Sequence, residues 1–290
     1  MTNVRFFDII YGNKGGNDMK LVDNVDKINI NDNNKYHLED TVNNYINYIK
    51  LIENFDEKLL KHYLETIKYH EILNNQHVEK EDSFLISLYN NMYRQNSLDT
   101  IIKITNEKRD LTKEDLKSLH KILMRGTKSE IGAEKFRSTD TKFVGTFNAD
   151  GTKNIDYIPI PSNEINETVD KAMYFLNNNK MSEPFMTPII FHALISVMQP
   201  FDDGNTRLSR LVQHAEFWKN TNELYSKSFT KPLLYLSKNY LLTRGDYRGR
   251  IAFLAKEETN EAWNRWIQYN LNMLDEQLYY LNNNVMKLVK

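Results

Sequence analysis

Apolar residues recur every three or four positions along most of this chain, and that spacing predicts helices. Tyr45, Ile49 and Ile52 share one face of a first helix beginning near Leu38, and Leu59, Tyr63 and Ile67 share a face of a second that reaches His70 or Glu71. Shorter helical runs are expected at residues 83–92 and 97–106. Thr112-Lys113-Glu114-Asp115 has the form of a capping box, and Leu116, Leu119, His120, Leu123 and Met124 follow at helical spacing. The period then changes. Residues 143–147 and 154–158 are β-prone and flank Asp150-Gly151, a favoured turn pair, so a hairpin is predicted. Pro159 and Pro161 end it, and Ser162 is a candidate cap for a helix through about Asn177. A further helix opens around Pro184 and Pro188, carries Ile189, Ile190, Leu194, Ile195 and Val197, and stops before Pro200. Another runs from about Asn205 to Asn220, and three more follow. The last is long, with Trp263, Ile267, Leu271, Leu274, Leu278, Leu281 and Val285 in one stripe. Such a stripe is either a core-packing face or a coiled-coil seam through which a homodimer would pair. Residues 12–36, rich in Asn, Asp and Gly, read as loop with a short strand at residues 20–22. The fold class is therefore all-α with one small β-hairpin.

Composition narrows the function classes. The 290 residues carry a net charge of -1 and no cysteine. That balance offers no basic footprint for nucleic acid and no general attraction to anionic membranes. Disulfides and thiolate metal sites are excluded, which fits a reducing compartment. Residues 1–7 lack the long apolar core of a signal peptide, and no run of about 18 apolar residues exists to span a bilayer. The expected setting is cytoplasmic, or that of a delivered effector.

The chemistry concentrates in Gln199-Pro200-Phe201-Asp202-Asp203-Gly204-Asn205-Thr206-Arg207-Leu208-Ser209-Arg210. A glycine before a helix lets backbone amides approach a ligand closely. The first helical amides lack internal partners, and the helix dipole adds positive potential there, so the turn suits phosphate. Arg207 and Arg210 stand three apart on one helix face, and their guanidinium forks match phosphate oxygens. Asp203 is placed to hold Mg²⁺ between phosphates. A helix start with ordinary surface arginines would show the same residues. His192, seven residues before Gln199, reads as a packing histidine with a stand-in base as the alternative. His214 reads as structural, and no histidine has metal-ligand spacing with an acid pair.

This stretch resembles the signature of the Fic family, His-Pro-Phe-x-Asp/Glu-Gly-Asn-Gly-Arg-x-x-Arg, and the order of elements from about Ser83 to Lys256 is similar to that of a Fic domain. The resemblance divides the chain into an N-terminal helical extension at 1–82, a Fic core at 83–256 and a helix at 257–290 packing on that core. It implies transfer of AMP from ATP, with Mg²⁺, to a Ser, Thr or Tyr hydroxyl of a target protein. In its terms Asp203 is the metal ligand, and Gly204, Asn205 and Thr206 form the phosphate turn. Arg207 and Arg210 hold the β- and γ-phosphates, and Phe201 anchors the loop. Phe143, Val144, Gly145, Tyr157 and Ile158 belong to a flap that binds the target by strand addition. Thr206 stands where the pattern has glycine.

Gln199 occupies the position of the family's catalytic histidine. An amide accepts no proton near neutral pH, so that base is missing. The chain is then a silent nucleotide- or partner-binding module, an enzyme that uses another base, or an inactivated form. The family's inhibitory-helix pattern is met in part at residues 75–80. There Glu79 would pair with Arg210 and block the γ-phosphate, although Asn75 and Lys80 depart from the pattern.

Overall fold

In the computed structural model, residues 25, 28–77, 99–104, 106–107, 109–178, 184–221 and 234–288 are described. Helix α1 (Asp32–Glu53) begins earlier than the apolar period suggests, because the Asn31 side chain accepts the Asn34 N–H at 2.8 Å and caps it. Residues 32–36 are thus helical, not loop; residues 20–22 and 83–92 lie outside the described residues. Helix α2 (Glu57–His77) follows, and residues 99–104 are helical. The capping box forms as expected at the start of α3 (Lys113–Met124): Thr112 Oγ1 accepts the Asp115 N–H at 3.1 Å, and the Asp115 carboxylate accepts the Thr112 N–H at 2.9 Å.

Strands β1 (Val144–Phe147) and β2 (Lys153–Tyr157) pair antiparallel, with Thr146 opposite Asn154. The register breaks between Val144 and Gly145, because Val144 faces Tyr157 while Gly145 faces Ile155. The backbones approach so closely there that a Cβ at Gly145 would lie 2.0 Å from the Asn154 carbonyl oxygen. Ser162 does not cap with its side chain. A 3-10 turn over Ser162–Glu164 intervenes, the Ser162 N–H goes to Asp140, and α4 (Ile165–Asn178) starts three residues later.

Helix α5 (Met186–Met198) is buried along its whole length, which fits a mainly apolar sequence with no charged residue. Helices α4 and α6 (Asn205–Thr221) pack on it, and α7 (Ser237–Leu242), α8 (Arg244–Glu257) and α9 (Asn260–Leu288) complete the chain. The α9 stripe is a core face, with Ile267, Leu271, Leu274, Leu278, Leu281 and Val285 all buried in the main apolar cluster. Trp266, one position off that stripe, is fully buried and gives its Nε1–H to the Ile189 carbonyl at 2.9 Å. Helix α1 packs along α9. Asn34 Nδ2 donates to the Asn264 carbonyl at 2.9 Å, and His37 meets Asp275 at 2.6 Å. No helix among the described residues is long and apolar enough to cross a membrane.

Candidate active site

The site is built where α5 ends and α6 begins. Gln199 caps α5 in the left-handed region at φ 50°, and Pro200 cannot continue a helix. Asn205 then staples the loop: its Oδ1 accepts the Phe201 N–H and its Nδ2 donates to the Phe201 carbonyl, both at 2.9 Å. Phe201 is fully buried and stacks on the His120 ring, with centroids 3.8 Å apart. His120 Nδ1 accepts the Glu134 N–H at 3.2 Å, so the proton sits on Nε2 and is donated to the Asp203 carbonyl at 2.8 Å. Burial pushes this histidine down to about 4, so the ring is neutral at pH 7. The buried Arg137 pins the loop from outside, through Nε to the Gln199 carbonyl at 2.9 Å and its own N–H to the Pro200 carbonyl at 3.0 Å.

Gly204 turns the chain at φ 76°, and a Cβ there would come within 2.4 Å of Met124 Sδ. Only glycine meets both demands. The turn opens on a cavity of about 210 Å³ lined by Lys142, Phe143, Val144 and Gly145 of the hairpin, by Gln199 and residues 203–206, and by Tyr247 and Arg248 of α8.

Gln199 has both ends of its amide engaged. Its Nε2 donates to the Ser196 carbonyl at 2.5 Å, and its Oε1 accepts from Asn205 Nδ2 at 2.9 Å. Asp203 is tied to Arg207 at 3.1 Å and accepts from Ser129 Oγ at 3.1 Å, while about half its side chain remains exposed. Arg210 is fully buried and donates to the Tyr247 hydroxyl at 3.3 Å. Neither Arg207 nor Arg210 is among the residues lining the cavity. His192 and His214 are core histidines, as their sequence positions suggest. His192 lies between Gln213 and Tyr247, each at 2.9 Å, and burial holds it well below its ordinary value. His214 accepts the Leu236 N–H at 3.0 Å.

Of the hairpin residues singled out, Tyr157 faces inward. Its hydroxyl donates to the Ser196 carbonyl at 2.7 Å and burial raises it, whereas Ile158 is 61% exposed. Glu79 lies outside the described residues.

Sequence reasoning missed Lys142, Arg248 and Tyr247 as cavity residues, and His120 and Arg137 as loop supports. Long-range folding, not local pattern, brings them there; the one available signal was that a polar ring on the apolar face of α3 needs a partner.

Three observations locate this arrangement among known proteins. Residues 110–216 match the model of the Fic/DOC family. A Fic family protein from Desulfovibrio desulfuricans G20 superposes with a TM-score of 0.63 at 16% identity, over 87% of this chain and 74% of that one. A Fic domain containing signaling protein from Bacteroides thetaiotaomicron VPI-5482 gives 0.64 at 12% identity, over 87% of this chain and 97% of that one. Identities this low speak for the fold alone, while the matched segment holds the whole loop from Gln199 to Arg210. The chain thus carries a Fic/DOC family domain at residues 110–216.

Proposed function

We propose that the cavity binds ATP and serves adenylyl transfer to a Ser, Thr or Tyr hydroxyl of a target protein held along the hairpin. The observation that carries this reading is the glycine turn: residues 203–206, where α6 starts, line a cavity that residues 142–145 of the hairpin also line, within a segment that matches the Fic/DOC family. The described residues include no group of three His, Asp or Glu that would hold a metal alone. The half-exposed Asp203 fits Mg²⁺ arriving on the nucleotide's phosphates, where it would neutralise phosphate charge. In the transfer, the target oxygen bonds to the α-phosphorus, the bond to the β-phosphate's bridging oxygen breaks, and pyrophosphate leaves. The hydroxyl proton must go elsewhere. Gln199 cannot take it, and His192 and His120 are buried and already hydrogen-bonded. Transfer therefore proceeds about 10²- to 10⁴-fold below an enzyme with the base in place, through positioning and charge alone.

A second reading, a silent nucleotide- or partner-binding module, is favoured by the engagement of both ends of the Gln199 amide. The test is incubation with Mg²⁺ and α-labelled ATP and a lysate of targets, with and without Gln199→His. Strong labelling only by Gln199→His supports a transfer scaffold that lacks its base. Silence from both would sink the transfer reading and leave the binding module. Adding Glu79→Gly to each arm tests the proposed brake.

A further inference from the structure

Resting on the nucleotide reading above, the source of the site's positive charge can be read from the cavity itself. Its charged lining residues are Lys142 and Arg248 against Asp156 and Asp203, and Asp203 is already paired with Arg207 at 3.1 Å. The two signature arginines do not line the cavity directly but bond to residues that do, Arg207 to the Asp203 carboxylate and the buried Arg210 to the Tyr247 hydroxyl. Lys142 differs from both. It sits at the root of β1, and its Nζ gives one N–H to the Asp202 carbonyl in the signature loop at 2.5 Å. An ammonium has three donors, so two are left for a ligand. Arg248 enters from the far wall on α8 and is exposed.

We propose that Lys142 is a phosphate-contacting cation of this cavity, with Arg248 opposite it, so that the hairpin root and α8 close on the ligand's phosphates from two sides. The class of ligand is a nucleoside di- or triphosphate, since a nucleoside carries no negative charge to attract these cations. Burial lowers the Lys142 ammonium against the opposing pull of Asp203 and Asp202, and a nearby phosphate would restore its charged form. Bidentate recognition is not needed at Lys142, because a lysine acts as a point charge, whereas the fork of Arg248 suits two phosphate oxygens.

The experiment is calorimetric titration of the full chain with Mg²⁺–ATP and, separately, with adenosine. Unmodified protein is compared with Lys142→Met, Lys142→Arg and Arg248→Ala. The proposal expects Lys142→Met to weaken ATP binding about tenfold or more while adenosine binding stays the same, Lys142→Arg to retain most of the affinity, and Arg248→Ala to weaken ATP selectively. Parallel loss of ATP and adenosine in Lys142→Met, or unchanged ATP binding, would overturn the role of Lys142 and leave the nucleotide site standing. Arg248 is on the surface and tolerates truncation, so unchanged ATP affinity in Arg248→Ala overturns the two-sided contact even if Lys142→Met is unstable. An unmodified chain that binds neither ligand overturns the nucleotide reading and this one with it.

Discussion

Gly204 shows how a single residue can be fixed by two independent constraints. Its φ of 76° disfavours any side chain, and its hydrogen already faces Met124. Gly204→Ala should cost about 1–3 kcal/mol, combining backbone strain with overpacking, and should shift the loop out of register with the cavity. Urea denaturation reads the first effect and ATP titration the second. His120 makes a different kind of prediction. Its folded value, about 4, lies below the ordinary value of 6.5, so the folded state favours the neutral ring. That contribution is fully present above about pH 6.5 and is lost as pH falls from there toward 4. The limiting size is on the order of 3 kcal/mol. His192, also held neutral by burial, adds to the same slope. His120→Phe should therefore flatten the fall of melting temperature between pH 6.5 and 4 without removing it.

At the scale of elements, the hairpin hangs on few contacts. Tyr157 fastens β2 to α5 through one buried hydroxyl, and Val144 packs beside the core. Tyr157→Phe should cost about 1 kcal/mol, and because the lost bond is local, amide exchange should quicken across residues 144–157 more than in α5. Much of this layer was legible in sequence. The Asp150-Gly151 turn, the capping box at Thr112 and the α9 stripe each announce themselves through residues that touch one another locally. The cap at Asn31 escaped notice because asparagine is common in residues 29–34 and only the folded chain shows which one accepts an amide. Lys142 and Arg248 escaped for a stronger reason: about a hundred residues separate them, and no local pattern encodes that they share a cavity. Gln199 was conspicuous in the sequence, but its engagement with Asn205 and Ser196 depends on the αL bend and could not be read there.

For the molecule as a whole, the site is not confined to the matched family segment. Tyr45 of α1 is buried, reaches Thr221 at the end of α6 with its hydroxyl at 3.2 Å, and packs edge-on against Phe185 at 5.4 Å, just before α5. Tyr45→Ala should cost about 3 kcal/mol or more and lower the unfolding midpoint seen by every probe, whether placed in α1 or beside the signature loop. Separate transitions for the two regions would show that α1 is an independent lobe. The complete burial of α5 also has a consequence for biosynthesis. A thirteen-residue helix with no charged residue and every position buried has no comfortable place in water, and its covering includes α8 and α9, which are translated later. While the ribosome is still making those helices, the segment that sets the Gln199 bend is a bare apolar surface. A nascent chain stalled before Trp266 should therefore be a chaperone client, and the pocket can take shape only after α9 has emerged.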